Sequence, residues 1–218
     1  MPKKAFISYN PFFIIPFLVW VIVGGVLLSL YDKTQLFYAI NLHYSGAADE
    51  LMYYVTWLGE GSVIVVALLL MLLIPRFRNG WYFVLAICCN VIPLLIQQLL
   101  KSYFNFPRPR LFFHDSPSMH YLARWPSLIH NSFPSGHSEG AFSFFCFVSL
   151  LLPPRYYKLG FVFFALAFAV CYSRVYLTAH FFADVYTGSI IGAVTTTIIY
   201  SVMDKYKDRI FNKKDIFS

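Results

Sequence analysis

The sequence predicts an all-α, polytopic membrane protein built from six transmembrane helices. Three observations carry that prediction. Of 218 residues, 59% are hydrophobic and only 12% charged, with a mean hydropathy of +0.62, whereas a soluble domain carries about 25% charged residues. The apolar residues gather in uncharged runs, several of them near the roughly 20 residues that a bilayer core requires. The basic residues fall mainly between those runs and at the ends, with an uneven distribution between the two sides.

Taken in order, Pro11 to Leu30 reads as the first span. It lacks a small-residue cleavage site before Asp32, so it is expected to be retained. Leu51 to Pro75 is the second, interrupted only by Glu60, and Gly80 to Leu100 the third. Gly140 to Pro153 and Leu159 to Ser173 are shorter, and reach span length if their ends enter protein interior or interface. Val185 to Met203 is the sixth. The whole chain, residues 1–218, is expected to form one transmembrane domain, with a long extracytoplasmic loop at about 102–133.

The net charge of +7 and pI of 9.2 raise nucleic acid as a partner, but the positions of the cations decide against it. With the N-terminus inside, the cytoplasmic face receives Lys3, Lys4, Arg76, Arg78, Arg155, Lys158, Lys205, Lys207, Arg209, Lys213 and Lys214. The opposite face receives Lys33, Lys101, Arg108, Arg110, Arg124 and Arg174. That bias predicts cytoplasmic N- and C-termini. The basic tail from Lys205 to Lys214 fixes topology and touches anionic lipid. Cys88, Cys89, Cys146 and Cys171 all lie in apolar runs without CxxC spacing, and are read as small buried hydrophobes. Trp57, Trp81 and Trp125 sit near span ends, where interfacial aromatics are common.

Three polar sets then stand out at one membrane face. They are Lys101 with Arg108-Pro109, then Pro134-Ser135-Gly136-His137, then Ser173-Arg174 followed by His180 and Asp184. Ionisable groups at membrane depth are costly and mark function by default. Lys101, Arg108 and Arg174 supply permanent positive charge, and arginine forks match phosphate oxygens. Ser135 and Gly136 open an apolar helix, so their backbone N–H groups can point at an anion. His180 and Asp184 are one helical turn apart, which lets the carboxylate orient the imidazole. One ring nitrogen stays free to attack phosphorus and form a phosphohistidine. His137, from another helix, can protonate the leaving alkoxide and then activate water. Two histidines and an aspartate can also bind zinc, but three neighbouring cations repel a divalent ion, so neither a metal nor another cofactor is expected.

The pattern K-x6-R-P, P-S-G-H, S-R-x5-H-x3-D resembles that of the type 2 phosphatidic acid phosphatase (PAP2) superfamily. It stands here complete and in order as Lys101…Arg108-Pro109, Pro134-Ser135-Gly136-His137 and Ser173-Arg174…His180…Asp184. The resemblance implies a metal-independent phosphatase with His180 as nucleophile, Asp184 as its partner and His137 as acid/base. Lys101, Arg108, Ser135, Gly136 and Arg174 would hold phosphate, and the six-span layout matches the family's membrane members. Soluble phosphatases and vanadium haloperoxidases share the pocket, but the hydropathy argues against both. The implied partner is a phospholipid or polyprenyl phosphate, undecaprenyl pyrophosphate before phosphatidylglycerol phosphate, phosphatidic acid or lipid A.

Other residues carry open alternatives. Glu139 either contacts a head group, tunes the pocket or is an interfacial charge. His114, Asp115, His120, Arg124 and His130 read as solvated loop polarity or as head-group contacts, and Arg110 as a possible further phosphate contact. Lys33 and His43 read as plain loop residues. A lipid phosphotransferase and a transporter are the competing functional classes.

Overall fold

The computed structural model describes residues 9–114, 116–122, 124, 125 and 128–211, the last four of these as backbone only. Lys3, Lys4, Lys213, Lys214 and Asp115 lie outside the described residues, so the basic-tail and Asp115 readings are not addressed by it.

Every described element is helical. Helix α1 (Pro11–Leu30) starts where the Asn10 side chain accepts the Phe12 N–H and Pro11 takes the first helical position. Its outer face carries large exposed apolar side chains such as Ile15, Ile22 and Leu30, which suit lipid. Helix α2 (Lys33–Asn41) is not among the expected elements. The chain nevertheless spells its start, because Asp32 and Gln35 form a reciprocal capping box.

The expected second span is a broken one. Helix α3 (Gly46–Val55) passes through a 3-10 turn at Thr56–Gly59 and meets α4 (Gly61–Met71) at a 59° bend. The turn at the break packs closely against His137. A Cβ on Gly59 would lie 2.6 Å from the His137 carbonyl oxygen, so only glycine lets this backbone approach so closely. Helix α5 (Gly80–Phe104) starts on an Asn79 cap and runs a turn beyond the expected Leu100, ending at left-handed Asn105. The four-residue α6 (Pro109–Phe112) follows, then a long connection to α7 (Gly136–Leu151). Helices α8 (Leu159–Tyr176) and α9 (Phe182–Phe211) complete the described chain.

Among the described residues, four stretches are long and apolar enough to cross a bilayer: Pro11–Leu30, Gly80–Phe112, Leu159–Tyr176 and Phe182–Lys207. The bent α3–α4 pair makes a fifth if taken as one span. Helix α7, with 16 residues, is shorter. The protein is therefore a multi-pass membrane protein, with α7 as its central post against α5, α8 and α9.

Two apolar clusters surround that post. One joins Phe13, Phe17 and Trp20 of α1 to Phe142, Val170 and Val185, and the other joins Trp81, Leu85 and Cys89 of α5 to Phe147 and Leu151. Small residues set the approach of α9 to α7. A Cβ on Gly188 would lie 2.5 Å from the Ser135 carbonyl oxygen, and one on Gly192 would strike the Glu139 carbonyl. Close backbone contact of this kind holds helices together where lipid removes the hydrophobic drive. Cys89, Cys146 and Cys171 are buried and Cys88 partly so, all as free thiols.

Candidate active site

The three polar sets converge where α5, α7 and α9 begin or end. Arg108, 5% exposed, caps α6 and is tied to backbone on three sides. Its Nε donates to the His130 carbonyl at 2.8 Å, Nη1 to that of Ala179 at 3.0 Å and Nη2 to that of Asn131 at 3.3 Å. Nη1 also stands 3.3 Å from His180 Nε2. Arginine can only donate, so this geometry makes Nε2 the acceptor and puts the proton of neutral His180 on Nδ1.

His180 Nδ1 in turn lies 3.4 Å from Asp184 Oδ2. That oxygen accepts the Ser132 hydroxyl at 2.5 Å and the Phe181 N–H at 2.9 Å, which fixes the carboxylate. Burial, then the charges of Arg108, Arg174 and Lys101, pushes His180 well below its ordinary value. The imidazole is thus neutral at physiological pH, the form a nucleophile requires. Asp184 also receives the Ser135 N–H on its backbone carbonyl at 3.0 Å, joining the start of α9 to the start of α7.

Ser135 caps α7 through the Ser138 N–H, and Gln97 donates to the Pro134 carbonyl at 2.9 Å, holding the strand of chain before the helix. Arg174 sits fully buried at the end of α8, with Nη1 donating to Thr56 Oγ1 at 2.7 Å. Its guanidinium lies over the Trp125 ring at 4.8 Å, and its Nε has no partner. A buried, unpartnered arginine nitrogen is costly, and an oxyanion would satisfy it. His137 Nε2 is 3.0 Å from Glu60 Oε2. Lys101, Gly136 and His137 share the wall of a cavity of about 520 Å³ that continues along apolar side chains of α4 and α5, among them Val65, Leu69, Ile87 and Leu94.

The structure therefore gathers the sequence-predicted residues in one region: Arg108, His180 and Asp184 in direct contact, Arg174 beside them, and Lys101, Gly136 and His137 on the cavity. It also adds residues that the motif reading passed over. Ser132 and Thr56 carry no sequence signal of their own. Trp125 is more than an interfacial aromatic, since it stacks on Arg174 and stands 6.5 Å from His137. Glu60 had a signal, a carboxylate inside an apolar run, that the span reading treated only as an interruption.

Glu139 is buried, accepts the Ser143 hydroxyl at 3.0 Å and lines the cavity, so it is not an interfacial charge. His120 bonds Asp49 at 2.8 Å, and its backbone is clamped by Asn41, which makes it a loop fastener. Arg124 pairs with Glu50 at 2.7 Å and lies over Tyr53. His130 contributes its carbonyl to Arg108, while Arg110 lies over the Tyr121 ring. His114 is exposed, and His43 caps backbone at Ala39. Lys33, expected in a loop, begins α2 with its ammonium 3.7 Å from the Phe181 ring centre, next to His180 in the chain. Among the described residues no group of three His, Cys, Asp or Glu side chains is placed to hold a metal ion.

The PAP2 superfamily profile matches residues 79–208. The chain belongs to the PAP2 superfamily. Two solved structures share its fold, both with a TM-score of 0.66. Aquifex aeolicus LpxE is 25% identical, over 80% of this chain and 98% of its own. A transmembrane PAP2 type phosphatidylglycerolphosphate phosphatase from Bacillus subtilis is 21% identical, over 91% of this chain and 98% of its own. No curated protein sequence matches the chain significantly. Family and neighbours together mark this PAP2 protein as a membrane phosphatase.

Proposed function

We propose that this PAP2 phosphatase hydrolyses the phosphate or diphosphate of a membrane lipid through a phosphohistidine on His180, without a metal. The observation that carries the reading is the Arg108–His180–Asp184 contact, with Nε2 free of a proton and facing a guanidinium. In the first step the Nε2 lone pair attacks phosphorus, the bond from phosphorus to the lipid oxygen breaks, and His137 gives that oxygen its proton. In the second, His137 takes a proton from water, the hydroxide oxygen attacks phosphorus, and the N–P bond breaks to release inorganic phosphate. Lys101, Arg108, Arg174 and the Ser135–Gly136 backbone stabilise the transferring group.

The cavity between α4 and α5 supports lateral access of a lipid tail, because its far walls are apolar and its near end carries Lys101 and His137. Undecaprenyl pyrophosphate is the first substrate to assay. Phosphatidylglycerol phosphate is the second, since the Bacillus subtilis neighbour is a phosphatase of it. We place the protein as one domain of six spans in a bacterial inner membrane, with cytoplasmic termini and the site facing outward, on the bias of its basic residues.

The test is phosphate release by purified protein from undecaprenyl pyrophosphate, phosphatidylglycerol phosphate, phosphatidic acid and lipid A, with and without EDTA. EDTA-resistant release is expected. Release that needs an added lipid acceptor would point to a phosphotransferase, and no release from any lipid would overturn the reading.

A further inference from the structure

The break in the second span carries none of the three motifs, yet two of its side chains bond to motif residues. Thr56 Oγ1 accepts from Arg174 at 2.7 Å, and Glu60 Oε2 lies 3.0 Å from His137 Nε2. Between them Gly59 lets the turn press against the His137 backbone. The Glu60–His137 pair also stands at a junction. Both residues line the lipid-facing cavity and a second one of about 390 Å³, bounded by Tyr53, Thr56, Trp57 and Trp125.

The electrostatics give this pair a task. His137 faces Arg174 of α8, Lys101 of α5, Arg108 at the start of α6, and His180 in the α8–α9 loop. A proton on His137 is opposed first by burial and then by the Arg174, Lys101 and Arg108 cations. Glu60 is the one carboxylate within ion-pair distance of it among the described residues, while Asp184 is committed to Ser132, Phe181 and His180.

We propose that Glu60 is the positioning residue of the acid/base histidine. Its carboxylate accepts the His137 Nε2–H, leaves Nδ1 as the nitrogen that meets the reacting oxygen, and offsets the positive charge when His137 is protonated. The proton that goes to the leaving lipid oxygen is then the one on Nδ1. After it departs, the Nδ1 lone pair takes a proton from water while Nε2–H stays on Glu60. The proposal rests on the phosphohistidine reading above.

The test compares full-length wild type, Glu60→Gln, Glu60→Ala and His180→Ala on the lipid phosphate hydrolysed fastest and on p-nitrophenyl phosphate, whose phenolate leaves without a proton. Glu60→Gln keeps a hydrogen-bond acceptor and loses the charge. In single-turnover measurements it is expected to slow the first step on the lipid, loss of the lipid alcohol, about tenfold, as weakened general acid catalysis does, and to slow loss of p-nitrophenolate less, because only the lipid oxygen needs the proton. Equal slowing of that first step on both substrates, or none on the lipid, would overturn the Glu60 assignment while His180→Ala still abolished release. A wild type without release, or His180→Ala without effect, would instead remove the phosphohistidine reading and the assignment with it. A readout independent of turnover is the nitrogen-15 histidine spectrum. His137 is expected as the Nε2–H tautomer in wild type and as a tautomer mixture in Glu60→Ala; identical spectra would overturn the proposal.

Discussion

The two parts of this protein divide the work unevenly. Residues 79–208, which the family profile matches, hold every motif residue, and their helices enclose a central α7 that buries most of its side chains. The part before them, α1 to α4, buries few residues within its own helices and none in α3. It still reaches the site at several points. Asn41 clamps the His120, Tyr176 and Thr178 segments, Thr56 holds Arg174, and Glu60 holds His137. The difference teaches that one part carries the motif residues, while the other reaches them with contacts that no motif marks.

The sharpest way to break that comparison is at His180, the proposed nucleophile. His180→Ala is expected to lower phosphate release roughly 10³-fold or more, as loss of a catalytic nucleophile does, against the far smaller loss for Glu60→Gln. Activities of both variants in detergent, side by side, check it; comparable losses would put the two parts on an equal footing. A stability contrast follows. Gly188→Ala forces a Cβ against the Ser135 carbonyl and is expected to destabilise by about 3 kcal/mol, the upper end of ordinary overpacking costs. Gly46→Ala, with nothing within 4 Å of its Cβ, is expected to change stability by less than about 1 kcal/mol. Thermal unfolding of the two variants measures the gap.

Asn41→Ala tests the clamp from the N-terminal part. It removes the donor to two carbonyls and the acceptor of the His120 N–H, all at a buried site, and is expected to cost about 2 kcal/mol. Denaturant or thermal midpoints would show it, and an unchanged midpoint would mean the loop holds itself. The smallest effect is a pH dependence. His180 is neutral in the fold because burial and the neighbouring cations disfavour its charged form. Its contribution is present above the ordinary histidine value near ~6.5 and is lost as pH falls below it, by at most about 1.4 kcal/mol per pH unit. The unfolding midpoint should drop between pH 7 and 5.5 in wild type, and less steeply in His180→Gln.

Much of this was legible in the chain. The runs at Pro11–Leu30 and from Gly80 onward reached the structure nearly unchanged, because a long uncharged stretch has few alternatives to a lipid-facing helix. The His180–Asp184 spacing and the cations that precede it also read directly, since their chemistry is local or set by type. Helix α2 was readable in principle from its capping box but too short and polar to register as a span. The bend at Glu60 was not readable, because the backbone of His137, against which Gly59 packs there, is far away in sequence.

By itself, then, the sequence determined the membrane setting, the helical class and the motif residues that the structure brings together, since hydropathy and side-chain chemistry are properties of the chain. Only the tertiary structure decided which ring nitrogen of His180 meets Arg108, that Asp184 is fixed by Ser132, and that Glu60 and Thr56 belong to the site. Those facts depend on distances between segments 50 or more residues apart, and such distances are set by how glycine-lined helices close on α7 rather than by any local pattern.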